Sequence, residues 1–247
     1  MKRTQAEQHG ERTNAAGKPV SNKILLSVSG AEYRRIRPHL EFIDLADHFS
    51  LHEPGEKLRF AYFLNSGLAS IVAATQEGRG VEAGVVGYEG LVGTALAVGL
   101  FASPLREVVQ IGGNGFRITA RALQATLQVT PDLQMRLSRY AVLQGMQVAQ
   151  TAACNRLHDV AQRLARWLLM AQDRVDAGTL PITHDFLATM LGTDRPSVSV
   201  AAGALQKNNV IRYSRGRVEI LNRKGLESAA CECYGVIQQL NGDLGLK

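Results

Sequence analysis

Two short helix-forming segments on either side of one glycine constrain the fold of this chain most. They lie within residues 183–206, and Gly192 separates them. Thr183 is placed to cap the first segment, and a glycine readily adopts the left-handed backbone that a tight turn requires. Pro196 falls in the first turn of the second segment, where its missing N–H costs little. This spacing predicts a helix-turn-helix.

The second helix of the pair, about residues 194–206, has the pattern of a recognition helix. Val198, Ala201 and Leu205 recur at helical spacing and are expected to face inward. An arginine on the outer side can bond guanine O6 and N7 bidentately, and serines can reach base edges or phosphates. The residues of this region expected to face DNA are Thr193, Arg195, Pro196, Ser197, Ser199, Val200 and Lys207.

A basic hairpin is predicted directly after this helix. Residues 210–213 and 217–221 read as two strands around a short turn that contains Gly216. Arg212, Arg215 and Arg217 lie on or beside the hairpin and are suited to phosphates or to the minor groove. A helical pair followed by any surface hairpin is the alternative, but the order of elements favours a winged helix-turn-helix.

Positive charge is concentrated in the same part of the chain. Residues 155–224 contain eleven basic and six acidic residues, so they account for +5 of the net charge of +6. This asymmetry indicates an anionic partner, either nucleic acid or an acidic membrane surface, unless it is only a solvated face. A helix over residues 158–173 is expected to carry several of these arginines mostly on its outer side. They are Arg156, Arg163, Arg166 and Arg174.

The N-terminal half is expected to be mainly β. Glycines are dense between residues 23 and 130, and they separate short apolar runs at 60–64, 68–72, 84–87 and 108–111. This pattern predicts a small all-β sandwich or roll, with short helices near 30–37 and 119–127. Residues 1–22 are polar and read as a disordered tail rather than a secretory signal. With no apolar stretch of membrane-spanning length, we expect a cytoplasmic protein without a membrane partner.

A long helix is predicted over residues 131–154. Pro131 and Asp132 suit its first turn, and an apolar stripe follows over some five turns. The stripe is either packed against the β part or forms a dimer seam. We favour the seam, because a long helix between two domains has little else to bury. Its residues are Leu133, Leu137, Tyr140, Ala141, Gln144 and Val148.

Enzyme and metal motifs are not found in the sequence. There is no nucleophile elbow, Walker loop or His-Glu-x-x-His segment, so we expect neither an enzyme nor a cofactor. Cys231 and Cys233 are one residue apart without a nearby histidine in the sequence, which is a poor metal site. Cys154 is expected to be a buried small side chain, and a redox role for the cysteines stays open.

Taken together, residues 23–237 resemble the CRP/FNR superfamily of bacterial transcription regulators. The segment from Gly192 to Ser199 matches the family's pattern at the start of its recognition helix, and residues 53–56, 63–67 and 84–90 match its β-roll in order. The resemblance implies an α+β chain with four parts. These are a disordered tail (1–22), a β-roll, or jelly-roll, of the cyclic-nucleotide-binding type (23–130), a dimerisation helix (131–154) and a winged helix-turn-helix domain (155–240).

The sequence also departs from the family pattern at positions that matter for its ligands. Pro196 stands where a Glu is usual, and Val200 stands where well-known members have an Arg, so a different target sequence is expected. Glu89 and Arg106 are the residues left to line a ligand pocket. In members that bind cyclic AMP, Ser/Thr-Ala follows the arginine. Here Glu107 follows it, and its carboxylate would repel a cyclic phosphate, so we do not expect cyclic AMP to bind.

The expected function is a homodimeric regulator that binds a pseudo-palindromic site in double-stranded DNA. The resemblance implies RNA polymerase as a further partner, while the effector stays open. Two alternatives are a cyclic-nucleotide-dependent regulator, and a ligand-sensing or protein-interaction module without specific DNA binding.

Overall fold

The chain folds into a β-rich N-terminal part, one long helix and a helical C-terminal part with a small sheet. The computed structural model describes residues 12–75, 77, 80–175 and 177–243. The helices are α1 (Lys23–Ser27), α2 (Gly30–Ile36), α3 (Ala120–Leu127), α4 (Pro131–Leu157), α5 (Val160–Val175), α6 (His184–Leu191), α7 (Arg195–Lys207), α8 (Arg223–Ala229) and α9 (Cys233–Asp243), with short 3₁₀ turns at Arg37–His39 and Thr94–Val98. The strands are β1 (Glu41–Leu45), β2 (Ser50–His52), β3 (Phe60–Leu64), β4 (Leu68–Ala74), β5 (Gly80–Val86), β6 (Arg106–Ile111), β7 (Gly113–Thr119), β8 (Thr179–Leu180), β9 (Ile211–Ser214) and β10 (Arg217–Ile220).

Two antiparallel sheets form the N-terminal part, in the orders β1-β7-β3 and β2-β6-β4-β5. Apolar side chains of both sheets, such as Leu64 and Val109, belong to one buried cluster, so the sheets pack face to face. The outer face of the first sheet is covered by α1, α2, α3 and the start of α4. The predicted fold class, an N-terminal β-roll followed by a long helix and a winged helix-turn-helix, is confirmed.

Part of the expected disordered tail is folded onto the β-roll. Asn14 is buried and donates its side-chain N–H to Leu40 O at 3.1 Å. Asn22 is fully buried, donates to Leu64 O at 3.0 Å and Gly90 O at 2.8 Å, and caps α1. The prediction is therefore wrong for residues 12–22, because these amides satisfy buried backbone groups that would otherwise lack partners. Residues 1–11 of the predicted tail lie outside the described part of the chain.

The residues of α4 that were predicted to form a dimer seam pack inside their own protomer, so this prediction is corrected. Leu133, Leu137 and Tyr140 are buried in the cluster that also contains Leu91 and the Phe116 ring. The other predicted seam residues line a cavity between α4 and the β-roll. These are Ala141, Gln144 and Val148. Helical spacing shows that a face is buried but not what buries it, and here the β-roll covers it.

The C-terminal part docks on the β4–β5–β6 face of the roll. Trp167 of α5 donates its indole N–H to Glu82 of β5 at 2.7 Å. Arg174 of α5 forms a buried ion pair with Glu89 at 2.7 Å. The two parts therefore share one apolar core, which includes Leu68 and Val85 from the roll.

Three of the arginines expected on the outer side of α5 are instead buried. Arg163, Arg166 and Arg174 are 8%, 3% and 4% exposed. Arg163 donates to Leu191 O at 2.9 Å, so its charged group reaches the end of α6 while its stem packs in the core. Arg156 is exposed as expected. Among the described residues, no helix is both long enough and apolar enough to cross a membrane.

Candidate nucleic-acid interface

Helices α6 and α7 and the turn between them form the predicted helix-turn-helix. Thr183 accepts a hydrogen bond from Phe186 N at 3.2 Å and so caps α6. Gly192 ends α6 with φ of 59°, in the left-handed region. Asp194 caps α7 by accepting from Ser197 N at 2.7 Å, and this hydrogen bond holds the pKa of Asp194 below its ordinary value. The cap at Thr183 and the turn at Gly192 lie where the sequence pattern places them.

The two faces of α7 differ sharply in burial. Val198, Ala201 and Leu205 are buried against the rest of the domain, as expected from their spacing. The outer face carries exposed side chains, and Val200 is 75% exposed. The predicted DNA-facing residues that are exposed are Arg195, Pro196, Ser199, Val200 and Lys207, whereas Thr193 and Ser197 are half-buried.

Arg195 lies in the first turn of α7 and is held only loosely. Its Nε is 3.6 Å from Asp185 Oδ1, and both side chains are largely exposed. An exposed pair of this kind contributes little to stability, because water and salt screen it. The guanidinium can therefore leave Asp185 for another acceptor at low cost.

Ser199 contacts the protein rather than standing free. Its hydroxyl donates to Arg195 O at 3.0 Å and lies 3.0 Å from His184 Nδ1. The His184 ring stacks on Tyr213 of β9, with ring centroids 3.9 Å apart. Desolvation and the charge of Arg195 lower the pKa of His184. Sequence reasoning missed this cluster because its members come from three different elements.

The hairpin after α7 has the predicted wing geometry. β9 and β10 pair antiparallel with Arg217 opposite Ser214. Arg215 and Gly216 form the turn with φ of 47° and 76°, the left-handed pair that two-residue hairpins prefer. Arg212, Arg215 and Arg217 are all exposed, although Arg212 also pairs with Glu219 at 3.1 Å. Since α7 packs against β9, α7 and the hairpin lie side by side.

Glu89 and Arg106, the predicted pocket residues, do not come together. Glu89 is buried against Arg174, whereas Arg106 is exposed and pairs with Glu53 at 3.2 Å. The cavity between α4 and the roll has a volume of 270 Å³ and is lined by Glu107 instead. Glu107 is buried, hydrogen-bonds His52 and accepts from Gly93 N at 3.3 Å. This part of the site prediction is therefore wrong, because the β6 register turns Glu107 rather than Arg106 inward.

An apolar stripe on the other side of α4 is exposed and was not predicted. Met135, Val142 and Met146 are 53%, 60% and 49% exposed. Ala149 and Ala153 continue the same line and are also exposed. The spacing of seven, four, three and four residues places these side chains on one face, opposite the face that packs on the β-roll. We refer to these five residues as the α4 stripe.

The cysteines are not isolated from histidine. Cys154, Cys231 and Cys233 are buried in one cluster, and His158 lies beside them. A histidine therefore lies beside the cysteines, contrary to the expectation from the sequence. Residues 158 and 233 are far apart in the sequence, so local spacing could not reveal the contact.

Comparison with known proteins agrees with this architecture. Residues 162–229 match the family described as the Crp-like helix-turn-helix domain. Among curated protein sequences the chain has no match.

Several solved structures share the fold at low sequence identity. FixK2 from Bradyrhizobium japonicum aligns with a TM-score of 0.67 and 13% identity over 78% of this chain and 98% of its own. The c-di-GMP-responsive global regulator CLP from Xanthomonas campestris aligns with a TM-score of 0.63 and 19% identity, over 78% and 99%. A CRP-family transcriptional regulator from Thermus thermophilus aligns with a TM-score of 0.61 and 22% identity, over 76% and 96%.

Proposed function

Because this chain carries a Crp-like helix-turn-helix domain on the fold of CRP/FNR transcription regulators, we propose that it is a sequence-specific regulator that binds double-stranded DNA as a homodimer. The observation that carries the proposal is the exposed N-terminal half of α7 beside a basic hairpin. A helix presented in this way fits the major groove, and the wing then reaches the neighbouring backbone. A regulator of this kind acts in the cytoplasm, where it contacts RNA polymerase.

Different residues carry base recognition and backbone contact. Arg195 reads guanine, and the exposed methyl groups of Val200 contact the methyl group of thymine. Thr193, Pro196 and Ser197 surround Arg195 at the start of the helix. The residues assigned to phosphates are Lys207, Arg212, Arg215 and Arg217. The Ser199 hydroxyl is engaged by Arg195 O and His184 Nδ1, so Ser199 is not assigned a base contact.

The α4 stripe is the surface that we assign to dimerisation. A helix with apolar side chains on opposite faces can pack on its own β-roll with one face and on a second copy of the chain with the other. The two recognition helices would then be related by a two-fold axis and read half-sites about one helical turn apart.

The signal that controls the protein acts at the β-roll in this proposal. The buried carboxylate of Glu107 in the cavity beside α4 disfavours an anionic ligand, so cyclic AMP is not the proposed effector. Selection from a random duplex library, with and without cyclic AMP, tests this. Enrichment of a palindrome without nucleotide supports the proposal, and enrichment only with cyclic AMP contradicts the assignment of the effector. If neither sample enriches a sequence, the alternative of an interaction module gains support.

Two arginine substitutions separate base reading from backbone binding. Arg195→Ala should lower the preference for the selected site by about 1–3 kcal/mol and leave binding to random duplex unchanged. Arg215→Ala should weaken binding to both duplexes equally. It should also reduce the slope of log K against the logarithm of salt concentration by about one, because one phosphate contact is lost. Competition binding at several salt concentrations measures both effects. An unchanged sequence preference in Arg195→Ala would rule out the assigned role of this residue.

A charge placed in the α4 stripe tests the dimer. Val142→Asp should give a monomer in analytical ultracentrifugation, because it buries a carboxylate at the centre of the interface. Val129→Asp is the matched control, since Val129 is 57% exposed and lies outside the stripe. If both variants sediment like the unmodified protein, the stripe does not form the interface.

A further inference from the structure

Three cysteines and one histidine from distant parts of the sequence converge at the C-terminal end of α4. Cys154 lies in the last turn of this helix, and His158 follows directly after its end. Cys231 lies between α8 and α9, and Cys233 begins α9. The three Sγ atoms and a ring nitrogen of His158 all lie within 4.8 Å of one another.

We propose that these four residues bind one zinc-class divalent metal ion. The distance from Cys154 Sγ to Cys231 Sγ is 3.5 Å, and that from Cys233 Sγ to His158 Nδ1 is 3.7 Å. In a tetrahedral zinc site with Zn–S of about 2.3 Å and Zn–N of about 2.0 Å, neighbouring ligand atoms are about 3.5–3.8 Å apart. These two distances match edges of such a tetrahedron, and all four ligand atoms lie within 4.8 Å of one another.

The groups around the cluster orient its ligands. His158 Nε2 lies 3.1 Å from Glu232 Oε1, which leaves Nδ1 directed at the thiols. A carboxylate on the far nitrogen is a common partner of a metal-binding histidine, because it fixes the ring and makes the other nitrogen more basic. Gln150 donates its side-chain N–H to Cys233 Sγ at 3.1 Å. These contacts are what a thiolate and a neutral imidazole need to bind a metal.

Burial and charge fit a closed structural site. The three cysteines are at most 4% exposed, and the side chain of His158 is 15% exposed. Three thiolates and one divalent ion leave about one negative charge, and Arg166, which is buried, interacts electrostatically with Cys154. A site with four protein ligands has no open position for substrate, which is typical of structural rather than catalytic zinc.

A disulfide explains the cluster less well than a metal. The Sγ atoms of Cys154 and Cys231 are 3.5 Å apart, well beyond the length of an S–S bond of about 2.05 Å. A disulfide would also leave Cys233 and the pairing of His158 with Glu232 without a role. A metal ion uses all four ligands.

The position of the site defines what the ion would do. Helix α4 ends at Leu157 and α5 begins at Val160, so the site lies at the joint from which the DNA-binding domain extends. The ion would tie this joint to α9, which packs along α4 and already contacts it through a hydrogen bond of 2.6 Å from Gln147 to Asn241. Metal binding therefore stabilises the attachment of the helix-turn-helix to α4.

Cobalt titration of the full-length, reduced, metal-free protein tests the proposal. We expect about one Co²⁺ per chain, with thiolate charge-transfer bands, intense visible bands of tetrahedral cobalt, and displacement by Zn²⁺. His158→Gln should weaken Co²⁺ binding more than tenfold and shift the visible bands, and Glu232→Gln should weaken it about 10–100-fold. The control is His39→Gln, which changes an exposed histidine far from the cysteines in sequence.

If a variant fails to fold, the cobalt spectrum of the unmodified protein still tests the site, because it requires no substitution. Zinc should slow the reaction of all three thiols with a thiol reagent relative to the metal-free protein. Weak octahedral cobalt bands, or equal Co²⁺ affinity in His158→Gln and His39→Gln, would overturn the site. Rapid formation of a disulfide between Cys154 and Cys231 with no metal uptake would also overturn it. These measurements need no DNA, so their outcome does not depend on the proposed regulator function.

Discussion

The Glu82 carboxyl group offers the sharpest test of how the β-roll and the DNA-binding domain are joined. It is 5% exposed, hydrogen-bonds Ser70 in the roll and accepts the indole N–H of Trp167 from α5 at 2.7 Å. Burial raises the pKa of Glu82 from 4.5 to about 7, although both hydrogen bonds and the charges of Arg166 and Arg174 act in the opposite direction. The group is thus protonated in the folded protein under conditions where the unfolded chain is ionised.

The sign and size of the effect on stability follow from this difference. Between about pH 4.5 and 7 the folded protein holds a proton on Glu82 that the unfolded chain has lost, so the free energy of unfolding falls as pH rises. Each pKa unit is worth about 1.4 kcal/mol, so the full penalty above pH 7 is about 3 kcal/mol. Glu82→Gln cannot ionise, and its amide can still accept from Trp167 and donate to Ser70.

Denaturant unfolding at fixed protein concentration, followed by the fluorescence of the single tryptophan, measures the difference. From pH 5 to pH 8 the free energy of unfolding of the unmodified protein should fall by about 2–3 kcal/mol more than that of Glu82→Gln. The control is Glu56→Gln, which changes an exposed carboxylate and should follow the unmodified protein. If the free energies of unfolding of Glu82→Gln and the unmodified protein differ by the same amount at every pH in this range, the pKa of Glu82 is not raised by folding.

Four further substitutions test the packing of α4 and the reading of DNA. Gly90→Ala should destabilise the protein by about 1–3 kcal/mol in thermal unfolding, because a Cβ there would overlap Tyr140 Oη of α4. Gly145→Ala is the control within α4: its Cβ meets no atom within 4 Å, so this substitution should be neutral or stabilising. Leu137→Ala should cost about 2–5 kcal/mol in denaturant unfolding without changing the sedimentation of the native protein, since this side chain is fully buried in its own protomer; a monomer would instead support the original seam. Val200→Ala should reduce the preference for thymine at one position of the selected site in competition binding, and unchanged preference at every position would exclude that contact.

The sequence was most informative where the structure is local. The caps at Thr183 and Asp194, the turn at Gly192 and the hairpin at Gly216 depend on residues only a few positions apart. Backbone conformation and capping are determined over such short distances, so the helix-turn-helix and the wing could be predicted directly from the residues. The exposed positions of α7 followed from the same periodicity.

Predictions failed where a side chain meets an element from elsewhere in the chain. Arg174 carries a charge, yet it is buried because Glu89 of the roll is its partner. Glu107 rather than Arg106 faces the cavity because of the register in which β6 pairs with its neighbours. A one-residue change of register would turn Arg106 inward instead. Neither outcome has a signal within its own stretch of sequence.

The amino-acid sequence by itself determined the β-rich N-terminal half, the long helix, the helix-turn-helix and the concentration of charge around it, because propensities, caps and turns act between near neighbours. Only the tertiary structure decided which face of α4 the β-roll covers, and thus that Met135, Val142 and Met146 stay exposed. It also brought His158 to Cys231 and Cys233, across more than seventy residues. Such contacts form when distant elements pack to bury a common apolar surface, and that packing is a property of the whole chain.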